Sequence, residues 1–233
     1  MKINKTEYSF EESLKYLDFL AQQMTDEEDI PEIHNLNVKE LPVHKVITAY
    51  CSTMYIRVIR PVDGDGKEKE YAFHGAISQI VKLLENSDTL RHLDLQADGS
   101  IMALFDTPMK KNVEELIILA AQVRSINDVV LTKFHMDLGR QHCAVGLDYG
   151  AVSYFSTANS SIDPICYQAT MKWAKQLAEQ RDDSVIISDD IYINLSEDMQ
   201  KNLFKNSSVH KELKYHYAPL INIRMDKWVK EQR

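Results

Sequence analysis

A chain of 233 residues, 44% hydrophobic and 27% charged, carries enough apolar side chain to bury one large core and has the balance of a globular protein. Its net charge of −8, with no basic stripe, excludes the phosphate-neutralising surface that nucleic-acid binding needs, yet leaves room for a nucleotide site served by a few local cations. No run of about 18 apolar residues exists, so no transmembrane helix is expected, and Glu11, Glu12 and Asp18 interrupt the first segment too early for a signal peptide.

The N-terminal segment places Phe10, Leu14, Leu17, Leu20 and Met24 on one face of a helix over about 8–24. Asp26, Glu27, Glu28 and Asp29 follow, then Pro31, so 25–42 reads as an acidic connector. The domain proper is expected over 43–233, with 1–42 as helix and connector. Residues 43–60, rich in Val, Ile, Thr and Tyr, predict one long strand ended by the turn-rich Pro61-Val62-Asp63-Gly64-Asp65-Gly66. Ala72, Ala76, Ile80, Leu83 and Leu84 give helical spacing to about 86. LRHLDLQ, the turn ADGS and IMALFDT then predict a β-hairpin around Asp98-Gly99, closed by Pro108.

A helix is expected over 112–126, where Val113, Leu116, Ile117, Ala120 and Val123 share a face and Asn127-Asp128 favour an end. Strands 142–147 and 150–155 flank Asp148-Tyr149. A helix over 167–180, a strand over 184–188, short helices to about 205 and two closing strands complete the order. Hairpins between helices exclude an all-parallel sheet, so the fold class is α/β in the α+β sense: a ferredoxin-like, mostly antiparallel sheet with helices on one face. Cys51, Cys143 and Cys166 are odd in number and lack C-x-x-C spacing. They read as buried, reduced thiols of a cytoplasmic protein, not as a disulfide framework or a zinc site.

Four segments in order, LDLQADGSIMALFDTP, HCAVGLDYGAV, QATMKWAKQLAE and VIISDDIYINL, resemble the class III adenylate/guanylate cyclase domain over about 43–227. The resemblance implies a two-fold homodimer with a shared nucleotide site, in which two aspartates hold two Mg²⁺ or Mn²⁺ ions. The segments near Met54, Tyr55 and Tyr167 are expected to take cover from the second copy. The resemblance also implies an arginine and an asparagine on a helix of the second subunit, stabilising the charge that develops at phosphorus.

Residue by residue the match is broken. The first strand, 43–60, holds no Asp or Glu, so the first metal ligand is missing unless Asp63 or Asp65 replaces it. Asp98 falls on the second metal position, and is also what a plain hairpin turn prefers. Lys172 stands at the asparagine position and Gln176 at the arginine position. Lys172 can still meet a phosphate, or simply lie on a solvated helix face, and Lys175 lies one residue from the arginine position; neither lysine reproduces a planar guanidinium fork. The base-reading position falls on Ile165, with Asp163 the nearest polar group. H-E-x-x-H, G-x-S-x-G, Walker and G-x-G-x-x-G patterns are absent. Three functions are consistent with these residues: a degenerate, dimeric ligand-sensing or partner-binding module; a divergent active cyclase with relocated ligands or a complementing chain; and a structural dimer.

Overall fold

The computed structural model describes residues 46–59, 66–133, 143–155, 165–167 and 169–232, with the helical positions Glu11, Leu14, Lys15, Leu17, Asp18, Ala21 and Gln22. The chain falls into two compact units, Met1–Ala49 with Ser153–Tyr167, and Tyr50–Val152 with Gln168–Arg233. In the first, Lys15 reaches back one turn to Glu11 at 3.0 Å, and Leu14 and Leu17 are exposed. The Thr48 and Ser153 hydroxyls meet at 3.1 Å.

The strands are β1 (Val46–Val58), β2 (Leu90–Leu95), β3 (Ile101–Phe105), β4 (Cys143–Phe155), β5 (Ile165–Tyr167), β6 (Val185–Ser188), β7 (Asn206–His210) and β8 (Leu213–Ala218). The helices are α1 (Gly66–Glu85), α2 (Lys110–Lys133), α3 (Ala169–Ala178), α4 (Asp189–Ile193), α5 (Glu197–Asn202) and α6 (Ile223–Gln232). One sheet runs β2-β3-β1-β4-β6-β8-β7, with β5 added on β4. Pairing is antiparallel for β1 with β3, β2 with β3, β4 with β5, β6 with β8 and β7 with β8, and parallel for β4 with β6. The run β2-β3-β1-β4, with α1 joining β1 to β2 and α2 joining β3 to β4, is the expected ferredoxin-like core.

Side chains alternate across a strand, and that alternation separates two faces. Met54, Ile56, Ile101, Ala103, Phe105, Val145, Leu147, Val185 and Ile187 join Phe73, Ile80, Val113 and Ile117 of α1 and α2 in the main core. Their neighbours Tyr55, Met102 and Ala144 join Ala174 and Ala178 of α3 instead. The helices therefore cover both faces, not one. The cause is the set of small residues at α3: Ala174, Ala178 and Gly146 let a helix lie directly on the second face.

Three further expectations are corrected. β4 is one 13-residue strand, because the Asp148 side chain points inward to hydrogen-bonding partners and makes no turn. α2 continues past Asn127-Asp128 to Lys133; just before that pair, Arg124 bonds the carbonyl oxygens of Cys143 and Leu220, and Ser125 Oγ accepts Asn222 N–H. The closing segment 214–229, expected as two strands, gives only β8, paired with the preceding β7, and then α6, which Asn222 opens by accepting Met225 N–H at 3.1 Å. The β7–β8 turn places Lys211 and Glu212 at φ 48° and 70°, a left-handed pair that Asn-Gly fills without strain.

Candidate functional site

Asp98 occupies the β2–β3 turn, and its carboxylate is committed locally. Ser100 donates its backbone N–H at 2.9 Å and its hydroxyl at 2.5 Å to Asp98 Oδ1. These bonds, the hydroxyl's first, hold the Asp98 carboxyl below the usual carboxylate range, with a smaller contribution from the charge of Lys175. The Tyr55 hydroxyl in turn donates to Ser100 Oγ at 2.8 Å, tying the turn to β1. Gly99 sits at φ +83°, and a Cβ there would meet the Phe73 ring at 2.5 Å, so only glycine fits under this turn.

On the α3 face, β1 presents Thr53, Tyr55 and Arg57. Thr53 Oγ1 lies 3.5 Å from Thr170 Oγ1; Tyr55 packs on Ala174 and Ala178; and Arg57 bonds the Ala178 carbonyl at 3.3 Å and pairs with Asp182. None of the three β1 side chains is a carboxylate. Lys175 Nζ lies 5.7 Å from the Tyr55 ring centre. Lys172 is exposed and Gln176 half-buried on the same helix. The structure thus brings Asp98 and Lys175 together within one protomer. Sequence reading notes Lys175 only as the neighbour of the arginine position, and does not show that it lies beside the Asp98 turn. Met54 and Tyr55, expected to need cover from a second copy, are buried by α1 and α3 of their own chain.

Beneath the start of α3 lies a buried polar group. Asp148 is hydrogen-bonded by the Ser188 and Thr170 hydroxyls, yet burial outweighs these bonds and raises its pKa, with the charge of Asp190 adding to the rise. Ser188 also caps α4 by accepting Ile191 N–H at 3.3 Å. A second cluster joins α4 to β8. His216 stacks on Tyr192 with ring centres 3.6 Å apart and bonds Asp189 at 2.9 Å through Nε2, and Lys214 reaches the same carboxylate at 3.1 Å. Burial lowers the His216 pKa despite Asp189, so the neutral ring donates its N–H. Burial also pushes the Cys143 thiol up to about 12, which makes it inert.

Asp63, Asp65 and Asp163 lie outside the described residues, and Ile165 begins β5. A groove of about 630 Å³ between α2, α5 and α6 is lined by none of the predicted site residues. Among the described residues, no three His, Cys, Asp or Glu side chains gather where a metal ion would sit. The donor set at the turn does not fit a two-metal site: one carboxylate, already accepting two hydrogen bonds, lies near the Lys175 ammonium.

No protein-family model and no curated protein matches the sequence. Solved structures do match. The adenylyl cyclase CyaB from P. aeruginosa superposes with TM-score 0.61 at 10% identity, over 75% of this chain and 95% of that one. A class III adenylyl cyclase-like ATP-binding protein from Pseudomonas aeruginosa gives TM-score 0.63 at 16% identity, over 91% of this chain; this chain spans 48% of that protein. The guanylyl cyclase Cya2 gives 0.58 at 7% identity, over 76% and 94%. The fold is that of class III nucleotide cyclase domains.

Proposed function

We propose that this chain is a cyclase-homology module, with its domain over 43–233, that binds a phosphate-bearing ligand such as a nucleoside triphosphate as a sensing dimer and does not cyclise it. The observation that carries the reading is the face of β1 that meets α3. Cyclisation asks two carboxylates to hold two divalent ions against the attacking ribose oxygen and the triphosphate. Where one of those carboxylates is needed, β1 offers Thr53, Tyr55 and Arg57, the last bonded to the end of α3. A cyclase-like neighbour described as ATP-binding supports a retained nucleotide site on such a scaffold.

The test is to titrate the four nucleoside triphosphates one at a time with and without Mn²⁺, following heat and product. Binding without cyclic product is expected. Product that disappears in Asp98→Ala would establish the active reading in its place, and silence from all four would leave a structural protein. Lys172 is exposed on α3, so Lys172→Glu is expected to weaken binding at low salt while leaving Tm nearly unchanged. Unaltered affinity would place the ligand away from that helix.

Dimerisation is a separate expectation. Light scattering is expected to give twice the mass of 26.9 kDa at micromolar concentration. Tyr50, Tyr71, Leu95 and Met109 remain exposed and can contribute to such a contact. A monomer mass at every concentration would refute it.

A further inference from the structure

Lys175 lies near Asp98 where α3 meets β1 and the β2–β3 turn, and Arg57 pairs with Asp182 at the end of the same helix. Lys175 lies over the Tyr55 ring at 5.7 Å, Tyr55 bonds Ser100 at 2.8 Å, and Ser100 bonds Asp98 at 2.5 Å. Arg57 holds the Ala178 carbonyl and Asp182 through one terminal nitrogen, while its Nε is buried with no hydrogen-bond partner. A buried donor left without an acceptor costs free energy, and a shift of the partly exposed Arg57 side chain toward an oxyanion would relieve it. Asp98 has its negative charge spread over the Ser100 N–H and O–H, which leaves the Lys175 ammonium only weakly engaged by it. Lys175 is also exposed, so its charge is open to a ligand.

A divalent ion bound at Asp98 would be repelled by the Lys175 charge, and would have to take Oδ1 from Ser100 or rely on Oδ2 alone. A phosphate oxygen is attracted by the exposed Lys175 ammonium, against the Asp98 charge that Ser100 already engages. We propose that Lys175, backed by Arg57, contacts the phosphate within the same protomer that carries Asp98, so that the phosphate-bearing ligand binds here free of metal. This rests on the reading above that the chain takes such a ligand, and it adds which cations hold it and that no Mg²⁺ or Mn²⁺ takes part.

The experiment is calorimetry at low salt on the full chain, using whichever of the four nucleoside triphosphates binds most tightly, in EDTA and in Mn²⁺. The wild type is compared with Lys175→Gln and Lys175→Arg. Affinity in EDTA at least as high as in Mn²⁺ is expected, because Mn²⁺ complexes the free triphosphate, together with a loss of about tenfold in Lys175→Gln, the size of one charge-assisted contact. Lys175→Arg is expected to recover most of that loss, because the charge is restored. Melting temperatures of both variants are expected to match the wild type, showing that the exposed side chain was not holding the fold. Binding that requires Mn²⁺, or binding unaffected by Lys175→Gln, overturns this inference while leaving the nucleotide-binding reading intact. Silence from all four nucleotides in both buffers overturns that reading and this inference with it.

Discussion

Gly146→Ala is expected to destabilise the chain by about 3 kcal/mol or more and to lower Tm by about 6–12 °C. A Cβ on Gly146 would lie 2.0 Å from the Ala174 carbonyl oxygen and 2.7 Å from the Ala178 backbone nitrogen. Both are helix backbone atoms, so no rotamer change relieves the clash. α3 has to lift off β4, which opens the Tyr55, Met102, Ala144, Ala174 and Ala178 cluster to water. The same displacement moves Lys172 and Lys175, so nucleotide affinity is expected to fall in parallel, unlike in Lys175→Gln, where affinity falls alone. Thermal melting followed by circular dichroism decides it. A Tm within a few degrees of the wild type would mean that α3 does not rest on this glycine.

The close approach at Gly146 also shows why the fold is legible only in part. Periodicity locates α1, the hairpin and β6, because each has one apolar face turned to one neighbour. The period of α3 shows that it has one buried side, but not which face of the sheet receives it; that is settled by Ala174 and Ala178 meeting Gly146 of β4. The continuous β4 reads as two strands in the sequence because Asp148-Tyr149-Gly150 has the composition of a turn. The buried hydroxyls of Thr170 and Ser188, with the Tyr149 backbone N–H, make an inward carboxyl acceptable there. α2 reads as ending at Asn127-Asp128 because the groups that fix its course, the Cys143 and Leu220 carbonyls and Asn222 N–H, are distant in sequence. Local propensity yields to tertiary anchors in such places.

At the site, the Asp98 turn and the lack of a carboxylate on β1 are both visible in the residues, since they depend on identity and short spacing. The pairing of Arg57 with Asp182, 125 residues away, and the seat of Lys175 over Tyr55 are not. Alignment to a family pattern directs attention to Lys172 and Gln176, and the cation that faces the turn stands one residue before the second of them.

Asp148→Asn is expected to raise Tm at pH 8 and to leave it nearly unchanged near pH 4. Burial makes the Asp148 carboxyl hold its proton to higher pH in the folded chain than in the unfolded one, against the Ser188 and Thr170 bonds that favour the charged form. The unfolded chain therefore loses this proton first as pH rises. The stability the protonated carboxyl contributes is whole below the ordinary aspartate pKa, declines as pH climbs towards the raised folded value, and is gone above it. The amide of the variant has no proton to lose, and its oxygen can accept from the same two hydroxyls. Any cost of accommodating the amide N–H groups is the same at every pH, so the change in the Tm difference between the two chains isolates the ionisation of this one group. Paired melts from pH 4 to pH 8 make the measurement. A difference that stays constant across that range would mean that Asp148 is solvated well enough to ionise freely, and that the polar group beneath α3 is open to water.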